Sequence, residues 1–362
     1  MKLFTKYILV LTALLCISTY TWAGKVRLEV FSSPSIGGYV YANTENTNNI
    51  GTLTFDYAES GYKVGGSVNM YRFAKAADGY EFKGWADTEG GTPTSSASQI
   101  SLGASGGADK RTYKYYAIFA PIYTVTFNGN GSTSGAMANM SMVYNTPKNL
   151  SPNAFSRQYT VTYNANGGTS DLGSAVATYT FVGWEDRNSM VYNGKEYTGA
   201  EFDAPYYANT YGDLYNAFGY NKYNLLQHYV NNGKGEGRSP IGSMRGVYPN
   251  QASVSNLSTT ANATVTLYAQ WQSASVILPN ATKAGAVIDG WYAGGVKVGE
   301  PGDSYTPTAN VTLTAKWIEK YTPEFSGNDY ALFVEGEQAN AFNFKYTNNP
   351  TEHIKVDRKS VV

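Results

Sequence analysis

Short runs that alternate apolar with polar residues dominate this chain. Val26, Leu28 and Val30 are separated by Arg27 and Glu29, so a strand here turns one face to a core and the other to water. The same reading places strands at 26–31, 39–42, 52–55, 80–82 and 113–119. Further along, Tyr123-Thr124-Val125-Thr126-Phe127-Asn128 leads into Gly129-Asn130-Gly131, and Tyr159-Thr160-Val161-Thr162-Tyr163-Asn164 leads into Ala165-Asn166-Gly167-Gly168. Asn-Gly after an alternating strand predicts a hairpin start of type I′, whose two central residues need positive φ. One stretch has a different period. Leu214 with Phe218, then Leu225, Leu226, Tyr229 and Val230, follow helical spacing. Asp203 and Asn221 suit helix starts, and Gly219 and Gly233 suit helix ends. A module of two or three short helices is expected at about 201–240.

Aromatic residues organise the rest. Trp85, Trp184 and Trp291 each follow a glycine, at Gly84, Gly183 and Gly290, while Trp271 and Trp317 close Val- and Thr-rich runs. Phe119, in Tyr116-Ala117-Ile118-Phe119, stands where the other closing runs, Tyr268-Ala269-Gln270-Trp271 and Thr314-Ala315-Lys316-Trp317, carry tryptophan. The two motifs recur as a pair three times, 34, 87 and 26 residues apart, so the motifs are fixed and the segment between them is elastic. That is the mark of an internal repeat. A buried tryptophan removes on the order of 150–250 Å² from water. Trp85, Phe119, Trp184, Trp271, Trp291 and Trp317 are therefore expected as the repeat core, with the glycine opening a bulge that aims each first indole inward.

Composition fixes the compartment and narrows the partners. Residues 1–23 combine Lys2 and Lys6, an apolar stretch and small residues at Thr21 and Ala23, the pattern of a removable secretion signal. The apolar run is too short to span a bilayer, and no transmembrane segment is expected in the mature chain. The single cysteine, Cys16, lies inside that leader, so neither disulfides nor thiolate-bound metal are expected to stabilise what remains. Without Lys2 and Lys6 the 27 basic and 27 acidic residues become 25 and 27, with no charge block. Nucleic acid is a poor partner for such a surface. The 38 glycines and 32 tyrosines fit short strands and tight turns.

These motifs resemble the Listeria–Bacteroides repeat, the internalin-type B repeat of bacterial surface proteins, over roughly residues 24–318. Val125-Thr126-Phe127-Asn128 with Gly131, then Tyr179-Thr180-Phe181-Val182-Gly183-Trp184, then Val265-Thr266-Leu267-Tyr268-Ala269-Gln270-Trp271 carry the resemblance. Ala76-Ala77-Asp78-Gly79-Tyr80-Glu81-Phe82-Lys83-Gly84-Trp85 is similar to a divergent branch. The resemblance implies a mainly β fold of tandem small β-grasp-like modules, with no catalytic residues to carry over. Segment by segment, the expectation is a signal peptide at 1–23, repeat 1 at 24–120, repeat 2 at 121–272 with the helical insert, a minimal repeat 3 at 273–318, and a partial domain or tail at 319–362. Repeat 3 departs from the pattern in having Ile288 for an aromatic and no opening hairpin of its own. The insert, through Phe202-Asp203-Ala204-Pro205-Tyr206-Tyr207, Asp213-Leu214, His228-Tyr229 and 233–238, is similar to a second recurrent piece of bacterial exported proteins.

Candidate chemistry is sparse. Gly103-Ala104-Ser105-Gly106-Gly107 spells a nucleophile elbow but reads better as a glycine-rich loop, since only His228 and His353 exist to serve a serine. Gly302-Asp303-Ser304 sits in a variable loop. Asp329, Glu335 and Glu337 fit no defined calcium loop and read as a solvated edge. Asn139, Asn256, Asn262 and Asn310 stand in Asn-x-Ser/Thr triplets and read as turn residues. No cofactor, metal or catalytic residue is expected. Candidate binding residues are Tyr206, Tyr207, His228, Glu236 and Arg238, on an insert the repeat scaffold does not itself require. The expected function is a secreted, surface-associated, non-catalytic spacer or adhesion element whose partner is a host or bacterial surface protein or a glycan. The alternative is auxiliary modules of a secreted glycan-active protein.

Overall fold

The structure is a computed structural model that describes residues 26–41, 52–56, 67–105 and 111–320. The leader 1–23, the acidic residues Asp329, Glu335 and Glu337, His353 and the segment 321–362 lie outside the described residues. What is described is mainly β, with three α-helices of seven residues each, and the chain divides into two compact units. The first is built from the described residues up to Gln158 together with Thr178–Ser273. The second is built from Tyr159–Ala177 together with the described residues 274–320.

One strand arrangement occurs three times. An opening strand lies parallel to a closing strand, and a bulged strand lies antiparallel on the closing strand's other side. In the first unit, Val26–Ser33 opens, Arg111–Asn128 closes in register Val30↔Tyr115 and Ser32↔Ala117, and Tyr80–Ala86 is the bulged strand. The same Arg111–Asn128 then opens the next copy. Its second half runs parallel to the closing strand Thr264–Gln272, Val125↔Val265, while Thr180–Asp186 pairs antiparallel with that closing strand. The expected strand end at 119 is thus passed. The 18-residue strand continues through Pro121, where its antiparallel neighbour changes from Tyr80–Ala86 to Met140–Val143. A missing N–H is tolerated at such a change of partner.

In the second unit, Gln158–Asn164 opens, Val311–Glu319 closes in register Val161↔Val311, and Ala286–Ala293 is the bulged strand. The opening strand that the sequence reading finds missing from 273–318 is therefore supplied by residues that it assigns to 121–272. The connectivity runs open, open, close, close, with first pairing first and second pairing second. The physical reason is that Tyr159–Ala177 shares a core with Val276, Leu278, Trp291, Leu313 and Ala315, through Val161, Tyr163 and Ala177.

The Asn-Gly turns form as type I′. Asn130 and Gly131 have φ of 46° and 85°, and Ser132 N–H donates to Gly129 O at 3.1 Å. Asn166 and Gly167 repeat this at 48° and 83°, with Gly168 N–H donating to Ala165 O at 3.0 Å. They do not close two-residue hairpins, because the strands that come back to pair with the opening strands are Met140–Val143 and Ser174–Thr178. Instead each turn is tied to its closing strand. Asn130 Nδ2 donates to Ala269 O at 2.8 Å and Asn166 Nδ2 to Ala315 O at 3.1 Å. Asn128 and Asn164 hold the turns from inside by accepting the Asn130 and Asn166 N–H groups.

The inserted helices are α1 Ala204–Thr210, α2 Gly212–Phe218 and α3 Lys222–His228. Asp203 caps α1 by accepting Tyr206 N–H, and Asn221 caps α3 by accepting Asn224 N–H. Gly219 ends α2 at φ 54°. Gly233 is not a left-handed cap. It lies in a π-helical turn, Tyr229–Gly233, where a side chain would collide with the Tyr207 hydroxyl. Gly103, Ala104 and Ser105 also differ from expectation, lying in a strand, Gln99–Ser105, paired with Ser67–Ala76.

Candidate functional site

The glycine-tryptophan motif builds the same slot three times. Pairing shifts by one residue between Phe82 and Gly84, between Phe181 and Gly183, and between Ile288 and Gly290. Each shift is a bulge that turns the following tryptophan to the interior. Trp85, Trp184 and Trp291 are all fully buried. The glycines have no alternative in any of the three slots, since a Cβ on Gly290 would stand 2.7 Å from Gly299 O. A Cβ on Gly183 would stand 2.6 Å from Tyr248 O, and one on Gly84, at φ 133°, would run into Ser95 O. The closing aromatics sit nearer the surface. Trp271 and Trp317 are half-buried and donate their indole N–H to the turn carbonyls Gly129 O and Ala165 O, each at 2.9 Å. Phe119, 3% exposed, fills that place in the first copy with ring contact to Phe82 at 5.5 Å.

A buried polar network anchors the insert to the second copy. Asp186 ends the bulged strand Thr180–Asp186, and its side chain is sealed in with Lys222 of α3, at Nζ to Oδ2 2.9 Å. Lys222 also donates to Asn188 O at 2.7 Å. Asn188 and Tyr248 donate to the same carboxylate, Asn188 through both its backbone and side-chain nitrogens. Arg245 Nε spans Glu185 at 3.1 Å and Asp203 at 3.3 Å, and its Nη2 reaches Asp186 O at 2.7 Å. Burial pushes the Asp203 carboxyl up, against the Tyr206 and Gly246 amides that stabilise its charge. Burial also lifts the Tyr248 phenol well above its ordinary range, helped by the Asp186 charge beside it. Every polar group of this network that the geometry describes has a partner inside the protein, so its work is to clamp strand to helix.

The sequence-derived candidates lie close together on the insert, except one. Tyr207 is fully buried and its hydroxyl meets His228 Nδ1 at 3.2 Å. The Tyr207 ring packs edge-on against Tyr211, and Arg238 lies over the Tyr211 ring at 4.9 Å. Arg238 grips Asp213 through two bonds of 2.9 Å and pairs with Glu236 at 2.6 Å. Asp213 and Arg238 thereby shift apart, the carboxyl held down and the guanidinium held up by their shared bonds. Tyr206 leaves this cluster. Its ring and backbone are covered by Gly242 and Gly246, where no side chain would fit. On the insert and the loop after it, Tyr215, Ile241 and Met244 are exposed at 47%, 38% and 82%, large side chains that the sequence pattern does not single out. Among the described residues no group of His, Cys, Asp and Glu is arranged to hold a metal ion, and no helix is long and apolar enough to cross a membrane.

Two of the Asn-x-Ser/Thr positions serve turns at positive φ, Asn256 at 52° and Asn262 at 60°. Asn256 is fully buried against Asn145, exchanging bonds of 2.6 and 2.8 Å. Asn310 accepts Thr160 N–H at 2.9 Å.

The family model of the Listeria-Bacteroides repeat domain matches residues 259–316. That stretch holds the closing strand Thr264–Gln272, the bulged strand Ala286–Ala293 and the closing strand Val311–Glu319 up to Lys316. No curated protein and no solved structure matches the chain.

Proposed function

We propose that this chain is an exported bacterial repeat protein that works outside the cell as a non-catalytic spacer or as an adhesion and ligand-binding element. The observation that carries the reading is the thrice-repeated glycine-tryptophan slot, joined to the match with the Listeria-Bacteroides repeat domain. In all three slots the first tryptophan is consumed by packing, as a scaffold requires. Binding falls to the insert and the loop that follows it, where Tyr215, Ile241 and Met244 are exposed and Arg238 is held by Asp213. Tyrosine and methionine give large adaptable contact area, and arginine beside them adds direction. The partner class is a surface protein or a glycan.

The recombinant chain from residue 24, immobilised and exposed to a glycan array and to bacterial and host surface extracts, tests this. Retention without turnover of the captured material supports the binding element, and retention of nothing leaves the spacer. Hydrolysis of a retained polysaccharide overturns the non-catalytic reading. It would favour the alternative, in which these modules assist a glycan-active protein.

A further inference from the structure

Unit two is made from two pieces of chain that 178–273 separates, and only non-covalent contacts join them. The pieces meet along the register Val161↔Val311 to Asn164↔Thr314 and along Thr169↔Thr282 and Ser170↔Ala281. Four further bonds cross the join: Asn166 Nδ2 to Ala315 O, Trp317 Nε1 to Ala165 O, Asp171 N–H to Asn280 O at 3.0 Å, and Thr160 N–H to Asn310 Oδ1 at 2.9 Å. The core is likewise shared, Val161, Tyr163 and Ala177 coming from one piece and Trp291, Leu313 and Ala315 from the other. Residues 274–319 connect back to unit one through the single peptide Ser273–Ala274, and Gln272, Ser273 and Ser275 around it are exposed. The only cysteine is Cys16, so no disulfide locks the two pieces together.

We propose that a second copy of this chain is a partner for unit two: residues 274–319 of one copy pair with 159–177 of another, giving a strand-exchanged dimer. Each contact above is indifferent to whether both pieces belong to one molecule, so exchange leaves the packing and hydrogen bonds of unit two unchanged. What decides between closed monomer and exchanged dimer is the effective concentration that the tether provides, against the concentration of other copies. A piece of a shared core that hangs from the unit before it by one exposed peptide is the arrangement from which such exchange proceeds. The second copy is the fitting occupant because the slot is cut for this sequence. Trp317 must reach the Ala165 carbonyl and Asn166 the Ala315 carbonyl, and 274–319 of another copy brings both matches in register.

The test uses Thr162 and Thr312, which are exposed strand partners. In a Cys16→Ser background, a Thr162→Cys chain carrying a size tag is mixed with an untagged Thr312→Cys chain. The mixture is unfolded, refolded over a 100-fold range of protein concentration and oxidised. A Thr162→Cys/Thr312→Cys chain alone reports whether the strand pair forms within one molecule. A mixture of Thr162→Cys with Glu300→Cys, exposed but not a strand partner, reports random collision. The expected result is a disulfide-linked product of unequal sizes that grows with protein concentration and exceeds the Glu300→Cys control at least tenfold. The proposal is overturned if the doubly substituted chain locks within itself while the mixture gives no mixed product at any concentration. It is overturned too if the Glu300→Cys mixture crosslinks equally well, or if neither format crosslinks, since the strand pair itself would then be absent.

Discussion

Trp184 and Trp291 occupy the same slot in different surroundings. Both follow a bulge glycine, both are fully buried, and both lie one strand away from an alanine of the closing strand, Ala269 and Ala315. Around Trp184 the core is wide: Phe127 and Phe181 stand 4.8 and 4.9 Å away, and the helical insert adds Tyr207, Leu225 and Leu226 to the same cluster. Around Trp291 it is narrow. Tyr163 is its ring partner at 5.1 Å, and Ile288 takes the place of Phe181. The hydrogen bonds run the other way. Trp291 Nε1 donates to Pro279 O at 2.9 Å, as Trp85 does to Ala97 O, whereas the buried Trp184 Nε1 has no partner in the protein. One motif therefore fixes where an indole goes, while the segment between the motifs decides how it is paid for in packing or in polar contacts.

The comparison breaks most visibly at the indoles themselves. Trp184→Ala and Trp291→Ala should each cost about 3–5 kcal/mol, the range for deleting a buried aromatic. In urea titrations followed by probes placed in each unit, Trp291→Ala should melt the smaller unit early and leave the larger unit's midpoint in place. A single unchanged transition would sink the idea that the narrow core depends on that ring. Of similar size is the clamp that only the wide core possesses. Lys222→Met should lose about 3–5 kcal/mol by removing the cation from the buried Asp186 carboxylate, and the double change Lys222→Met/Asp186→Asn, which keeps an acceptor for Asn188 and Tyr248, should recover part of it. Calorimetry decides this, and a double variant no better than the single would show that the pair is not coupled.

Smaller effects sharpen the contrast. Gly183→Ala should lower stability by about 1–3 kcal/mol, because its methyl meets Tyr248 O and the bulge has no room to relax. Smallest and most discriminating is Trp→Phe. Trp291→Phe orphans the Pro279 carbonyl, while Trp184→Phe removes a donor that already lacks a partner, so the first should cost roughly 1 kcal/mol more than the second. Equal losses in chemical denaturation would mean that Trp184 Nε1 is satisfied after all.

Much of the local architecture was legible in the residues. Alternation located the strands at 26–31, 39–42 and 52–55 to within two residues, and Asp203 and Asn221 marked helix starts because a short side-chain acceptor is what the first exposed amides need. Ser67–Ala76 and Gln99–Ser105 carry no clear strand pattern, the first interrupted by Asn69, Arg72 and Lys75, the second running into the glycine-rich stretch 103–107. The crossed pairing was illegible for a deeper reason. Tyr-Thr-Val-Thr-Phe-Asn and Tyr-Thr-Val-Thr-Tyr-Asn differ at one position, so nothing local tells either opening strand which closing strand is its own. The Asp186–Lys222 pair hid because charged residues normally face water. Its one trace was spacing, since Asp186 lies two residues beyond Trp184, on the same face of the strand. Of the site candidates, Tyr207, His228, Glu236 and Arg238 gather on one part of the insert, while Tyr206 is covered elsewhere by glycines.

In all three copies the opening strand runs alongside the closing strand in the same direction, which means that the chain enters one end of the pair and leaves by the other. A pull applied to the start of Val26–Ser33 and the far end of Arg111–Asn128 acts along the strands, not across them. The rungs between them are then sheared together instead of peeled one at a time. An element that holds two surfaces apart under flow would gain mechanical toughness from that geometry alone, without a disulfide anywhere along its length.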